Sequence, residues 1–304
     1  MSNIINLAEL QAPKIIEEID FETLLESRKA RFISLFETEQ EKAFWTHRLE
    51  FESEPVVKLL EENAYLEMLL RARINNASKS VMLAYASESE LDHLGALFNV
   101  KRLIIQQEDL TTESPTLAIY ESDERFRKRI QLALESKTTA GSVGSYFYHT
   151  LTSSADIQDA YISTPSAGKV LVTVLATKKY GNADSSLLEK VKFYLNEEEI
   201  RPLTDTVIVE PAETVQYNIT AQITLFHNAL ESVVLEEVNK KINKYKEKQY
   251  ALGRDITKSG IFSALHQSGV QNVHLIEPAN DIVITQQQVA DCQQINITVS
   301  GRDE

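Results

Sequence analysis

Six histidines, His47, His93, His149, His227, His266 and His274, are the side chains best suited to hold a metal or move protons near neutral pH. No two stand three to five positions apart, and there is no Cys-x-x-Cys pair, so no metal site is predicted. Cys292, the only cysteine, cannot form an intrachain disulfide and has no histidine beside it in sequence to make it a nucleophile. Gly141-Ser-Val-Gly144 precedes a helical pattern and could aim amides at an anion. It lacks the Lys-Ser/Thr of a P-loop and the third glycine of a dinucleotide fingerprint, and reads as a turn with an N-cap. The clusters Glu50, Glu52, Glu54 and Glu197, Glu198, Glu199, like the run Lys240 to Lys248, read as solvated faces. Catalytic, cofactor-binding and metal-ligating residues are therefore none, and no cofactor is expected.

Charge narrows the partners. The 304 residues carry 31 basic and 45 acidic side chains, a formal charge of −14, with −8 in residues 1–110 and −6 in 111–304. Acidity spread this evenly repels phosphate backbones and anionic lipid, so nucleic acid and membrane insertion are not expected. No stretch approaches the roughly 18–20 apolar residues of a membrane span, and residues 1–20 do not look like a signal peptide. A single cysteine fits a reducing cytoplasm.

Periodicity predicts an α+β chain: an N-terminal helical module, then two small strand-helix-strand sandwich modules. The expected divisions are 1–100, helical; 101–154, a linker with short helices; 155–211, the first α/β module; and 212–304, the second. Phe21, Leu24, Leu25, Phe32 and Phe36 give one helix, and a second runs from Pro55 to about Asn75. A third spans about Ser80 to Phe98. Ser122 caps a helix with Phe126, Ile130, Ala133 and Leu134 on its buried side, and Ser142 caps another. From 155 the period becomes 2, with strands at Ile157–Ile162, Val170–Ala176 and Val207–Val209 and a helix over Leu187–Leu195. The alternation Val215 to Leu225 is a strand with one wet face. A helix with Leu230, Val234, Val238, Ile242 and Tyr245 in its stripe follows, then a helix at 257–267 and strands at Val270–Ile276 and Gln294–Val299.

The 55–75 helix is the most informative segment. Val56, Leu60 and Ala64 share one stripe and Leu59, Leu66 and Leu70 another, while Tyr65, Met68, Leu69 and Ala72 fill most of the other faces. A helix apolar nearly all round is covered on several sides, by its own chain or by others.

Seven segments in order resemble the baseplate assembly protein J family of contractile-tailed phages and related contractile bacteriocins. They are Phe21-Glu-Thr-Leu-Leu with Arg28-Lys29; Glu52 to Tyr65 followed by Arg71 and Asn75; Leu91-Asp-His-Leu-Gly95; Glu121-Ser-Asp-Glu with Phe126 and Arg127; Ala140-Gly141 before Tyr146; Arg201-Pro-Leu-Thr-Asp; and Leu252-Gly-Arg-Asp-Ile. The resemblance implies a non-enzymatic wedge subunit of a tail baseplate, assembled in the host cytoplasm. Two copies would join one tail protein I type subunit, with helices of all three in a common bundle. Neighbouring wedges would join into a ring around central hub and spike proteins, linked to the sheath by a small lysozyme-like baseplate protein. In that setting Val56, Leu59, Leu60, Tyr65, Leu66, Met68, Leu69 and Leu70 become the candidate subunit interface. Residues 101–121 become the candidate pivot when the ring widens. The competing reading is a tail-associated, carboxylate-dependent cell-wall glycan hydrolase, which needs two carboxylates roughly 5–9.5 Å apart beside a cleft. A cytosolic ligand-binding module would instead show a concave apolar pocket.

Overall fold

A computed structural model describes residues 5, 7, 10–11, 13–111, 115–138, 140–177 and 183–303. The chain forms two compact units, 5–101 and, among the described residues, 102–303.

The first unit is helical: α1 (Phe21–Ser34), α2 (Glu39–Arg48), α3 (Pro55–Ser80) and α4 (Glu88–Leu97). Local signals set their starts. Asp20 accepts the Thr23 amide at 2.8 Å, Thr38 and Glu41 form a reciprocal capping box, and Pro55 opens α3 where its missing N–H costs nothing. Phe36 lies beyond α1, in the turn to α2, where its ring stacks on Trp45 at 5.7 Å and meets Phe32 edge-on at 5.3 Å. The expected helix is α1, which ends two residues before Phe36; α2, not among the expected elements, packs its Trp45 into the same aromatic cluster. α3 runs five residues past Asn75, because Asn76 to Ser80 contains no breaker. The third helix begins at Glu88 rather than Ser80, after a turn over residues 81–87.

In the second unit, the described residues among 102–121 include two short paired strands. β1 (Ile104–Gln106) pairs antiparallel with β2 (Ile119–Tyr120), and Asp109 bridges Thr116. α5 (Asp123–Leu132) is capped by Ser122 and buries Phe126 and Ile130, with Ala133 just after it. Leu134, expected on that buried side, is 70% exposed, since the chain leaves the helix at Ala133 for a 3-10 turn. α6 (Val143–Ser153) is capped by Ser142. β3 (Ile157–Ser166), β4 (Lys169–Ala176) and β5 (Thr206–Pro211) form a sheet in that order, β3 antiparallel and β5 parallel to β4. α7 (Ser185–Leu195) makes the crossover that the parallel pair requires.

The next sheet has the order β7-β6-β8, built from β6 (Glu213–Phe226), β7 (Val270–Glu277) and β8 (Gln288–Asp303). α8 (Glu231–Gln249) and α9 (Lys258–Leu265) cover it. Ile219, Ala221, Ile223 and Leu225 of β6 meet Val234, Val238 and Ile242 of α8 in the core. Leu230, expected in that stripe, precedes the helix and is 73% exposed. β7 returns antiparallel to β6, while β8 is the parallel neighbour and runs well beyond the expected Gln294–Val299. An α+β architecture of one helical region and two small helix-covered sheets results.

Candidate functional site

α3 buries one side and bares the other. Val57, Ala64 and Asn75 are buried in its own unit, and Val56, Leu60 and Met68 are half-buried. Leu59 is 64%, Leu66 54%, Leu70 60% and Ile74 52% exposed. With Asn63 and Ala77 these four stand at spacings of four, three, four, four and three, an average equal to the helical repeat, so the stripe runs straight along the helix. Tyr65 and Leu69, 46% and 47% exposed, widen it on one flank. Ile74, absent from the residues singled out by sequence, completes the stripe; its spacing of four from Leu70 was the available signal.

Burying one such side chain fully is worth about 1.5–3 kcal/mol, so the bare face withholds several kcal/mol from this chain alone. Its geometry is fixed from behind. Asn75 clamps the Glu17 backbone, Oδ1 accepting its N–H at 3.1 Å and Nδ2 donating to its carbonyl at 2.8 Å. Arg71 donates to Glu17 at 2.7 Å and to Glu67 at 2.8 Å, and Glu67 also receives Arg28. These hydrogen bonds hold the Glu67 carboxyl below its usual range. These bonds anchor α3 to its own unit through Glu67, Arg71 and Asn75, while Leu59, Leu66, Leu70 and Ile74 stay exposed.

The other segments singled out by sequence form junctions. Buried Glu121 accepts from Arg129, Arg125 and the Leu103 N–H, the last at 2.8 Å. Arg125 donates onward to the carbonyls of Leu151 at 2.6 Å, Ser154 at 2.7 Å and Ile157 at 3.0 Å, tying α5 to the end of α6 and the start of β3. The Tyr146 hydroxyl donates to Asp205 Oδ2 at 2.9 Å, and a Cβ at Gly141, φ +71°, would lie 2.9 Å from that same oxygen. Asp255 accepts the Ile284 N–H at 2.7 Å, and Leu252 and Ile256 bridge Val289 and Ile282.

The residues weighed for chemistry stay apart. His47, His93, His227, His266 and His274 are exposed. No group of three His, Cys, Asp or Glu able to hold a metal occurs among the described residues. At the Gly141-Ser-Val-Gly144 turn the Glu135 carboxylate lies against Gly144, so the chain's own anion sits at that helix start. Cys292 is buried in the core between β6 and α8. Among the described residues no helix is long and apolar enough to cross a membrane.

The baseplate J-like N-terminal domain model matches residues 52–109, the central domain model residues 138–211 and the C-terminal domain model residues 217–298. Baseplate protein J of Escherichia phage P2 is 42% identical to this chain over 301 residues, 99% of each being covered. The chain belongs to the baseplate J-like family. As a baseplate J-like protein it is a structural component of a contractile-tail baseplate. The N-terminal match contains all of α3 with its bare stripe. A chain of the six-fold symmetrised cryo-EM structure of the anti-feeding prophage baseplate aligns with a TM-score of 0.42 at 12% identity. That alignment covers 68% of this chain and 50% of the other.

Proposed function

We propose that this baseplate J-like protein is a non-enzymatic wedge subunit whose α3 face is its principal assembly surface. Two copies would pack Leu59, Tyr65, Leu66, Leu69 and Leu70 into a bundle with helices of one tail protein I type subunit, with Val56, Leu60 and Met68 at the margin. The supporting observation is the straight apolar stripe left bare on a helix that is otherwise firmly anchored. Wide, apolar surfaces of this kind are typical of permanent complexes, which often bury about 2,000–5,000 Å².

On this reading residues 1–100 work as the bundle module, 101–154 as the connection, and 155–211 and 212–304 as the two modules that join neighbouring wedges into a ring around the hub and spike. A small lysozyme-like protein would link that ring to the sheath, and assembly would take place in the host cytoplasm. Co-expression with the tail protein I type subunit, followed by native mass measurement, tests the reading. A complex of two copies to one supports it, and a chain that stays monomeric and ignores that partner overturns it.

A further inference from the structure

Among the described residues, the second unit carries a sheet edge that is open along much of its length. β8 is bonded to β6 on one side, and strand geometry sends its remaining backbone groups outward on the other. The loop at Leu252 and Gly253 covers only the first residues, through the Leu252–Val289 bridge and a 3.1 Å bond from Gly253 N to Gln288 O. From residue 293 to 302 no such bond between described residues reaches the outer side, and a Cβ at Gly301 would meet nothing within 4 Å.

Natural sheets blunt open edges with charge, proline or short strands. Here β7 leads into Pro278 and β5 ends at Glu210-Pro211, while β3 carries Asp159, paired with Lys128 at 3.2 Å. By contrast Cys292–Gly301 contains no Asp, Glu, Lys, Arg or Pro, in a chain that is 25% charged. Register shifts at Gln293 and Ser300 bound a regular run, Gln294–Val299. In it Ile295, Ile297 and Val299 are half-buried against the core, and Asn296 and Thr298 are exposed.

That run is self-complementary. We infer that β8 pairs antiparallel with β8 of a second copy across a two-fold axis at Ile297, joining two three-stranded sheets into one. Ile297 then faces its own counterpart, Ile295 faces Val299 of the second copy, and Asn296 faces Thr298 of the second copy. Moving the axis to Asn296 would leave Val299 opposite the Gln293 bulge, so the Ile297 register matches all three apolar residues. The inference rests on the reading that copies of this chain meet in the baseplate, and it names a contact separate from α3.

The test uses the full chain with Leu66→Glu and Leu70→Glu already introduced, so that α3 does not contribute, and follows association by sedimentation. In this background N296K/T298K sets like charges opposite each other, whereas N296K/T298E at the same exposed positions sets opposite charges together. The expected result is a self-associating parent, association weakened about tenfold or more in N296K/T298K, and association restored in N296K/T298E. Circular dichroism checks that both remain folded. Equal association of the two variants, or a parent that is monomeric throughout, overturns the β8 contact and leaves the α3 reading standing.

Discussion

Arg129 Nη1 donates to Glu121 Oε1 with both residues only 2% exposed. Arg125, on the same face of α5, takes the other carboxylate oxygen, so one buried acid serves two arginines drawn from one helix. The pair joins the segment leaving β2 to α5, and through Arg125 to α6 and β3.

Removing that charge leaves the buried Arg129 guanidinium, and the largely covered Arg125 beside it, without their shared counter-ion. Glu121→Gln is expected to destabilise the second unit by about 3–5 kcal/mol, because breaking a buried pair leaves an uncompensated charge. Urea unfolding of the two proteins measures it. A loss below about 1 kcal/mol would show that the network is not what holds α5 in place.

The Tyr146–Asp205 bond and the tight approach of Gly141 belong to one junction. Burial, then the Asp205 hydrogen bond, pushes the Tyr146 hydroxyl well above its ordinary range, so it stays a donor across the accessible pH scale. Tyr146→Phe should cost roughly 1 kcal/mol. Gly141→Ala should cost about 1–3 kcal/mol, since φ is +71° and the added Cβ would lie 2.9 Å from Asp205 Oδ2 and Pro202 Cγ. The double variant should lose less than the sum, as both changes open the same contact. Additive losses in thermal unfolding would place the two residues in independent sites.

His149 gives the second unit a pH dependence. Burial lowers its pKa below 6.5, a backbone hydrogen bond to Ser136 offsets part of this, and its Nδ1 has no hydrogen-bond partner among the described residues. Between pH 6.5 and the lower folded value, the unfolded chain holds a proton that the folded chain does not, so stability falls as pH drops through that window. Urea midpoints at pH 7.5 and 5.5 should differ more for the natural protein than for His149→Gln. Carboxylates titrate in both proteins, so identical differences would remove His149 from the account.

Much of this architecture is legible in the sequence. Ser122, Ser142 and Pro55 mark helix starts because each solves the problem of unpaired amides locally, and the alternation from Val215 to Leu225 needs only the strand repeat. Several of the misses depend on partners distant in the chain. Periodicity carries no strand direction, so it does not reveal that β7 returns antiparallel while β8 is the parallel neighbour. Glu121, Arg125 and Arg129 look like ordinary surface charges until the fold encloses them. α2 was foreseeable, since Thr38 and Glu41 spell a capping box, but its Glu- and Lys-rich composition masks the contact of Trp45 with Phe32 and Phe36. Of the α3 residues, the helical wheel brings Leu59, Leu66 and Leu70 onto one line. Only the packed structure separates them from Val56, Leu60 and Met68, which turn partly toward their own unit.

The central claim is that the bare α3 face is where other baseplate chains pack. Its most direct test is native mass measurement of the complex formed on co-expression with the tail protein I type subunit, for the natural chain and for Leu66→Glu/Leu70→Glu. Both positions are more than half exposed, so the variant should keep its helical circular dichroism. The account predicts a two-to-one complex with the natural chain and its loss in the variant, two charged groups being too costly to bury without partners. A variant that still assembles with the same stoichiometry, or a natural chain that never does, would contradict it.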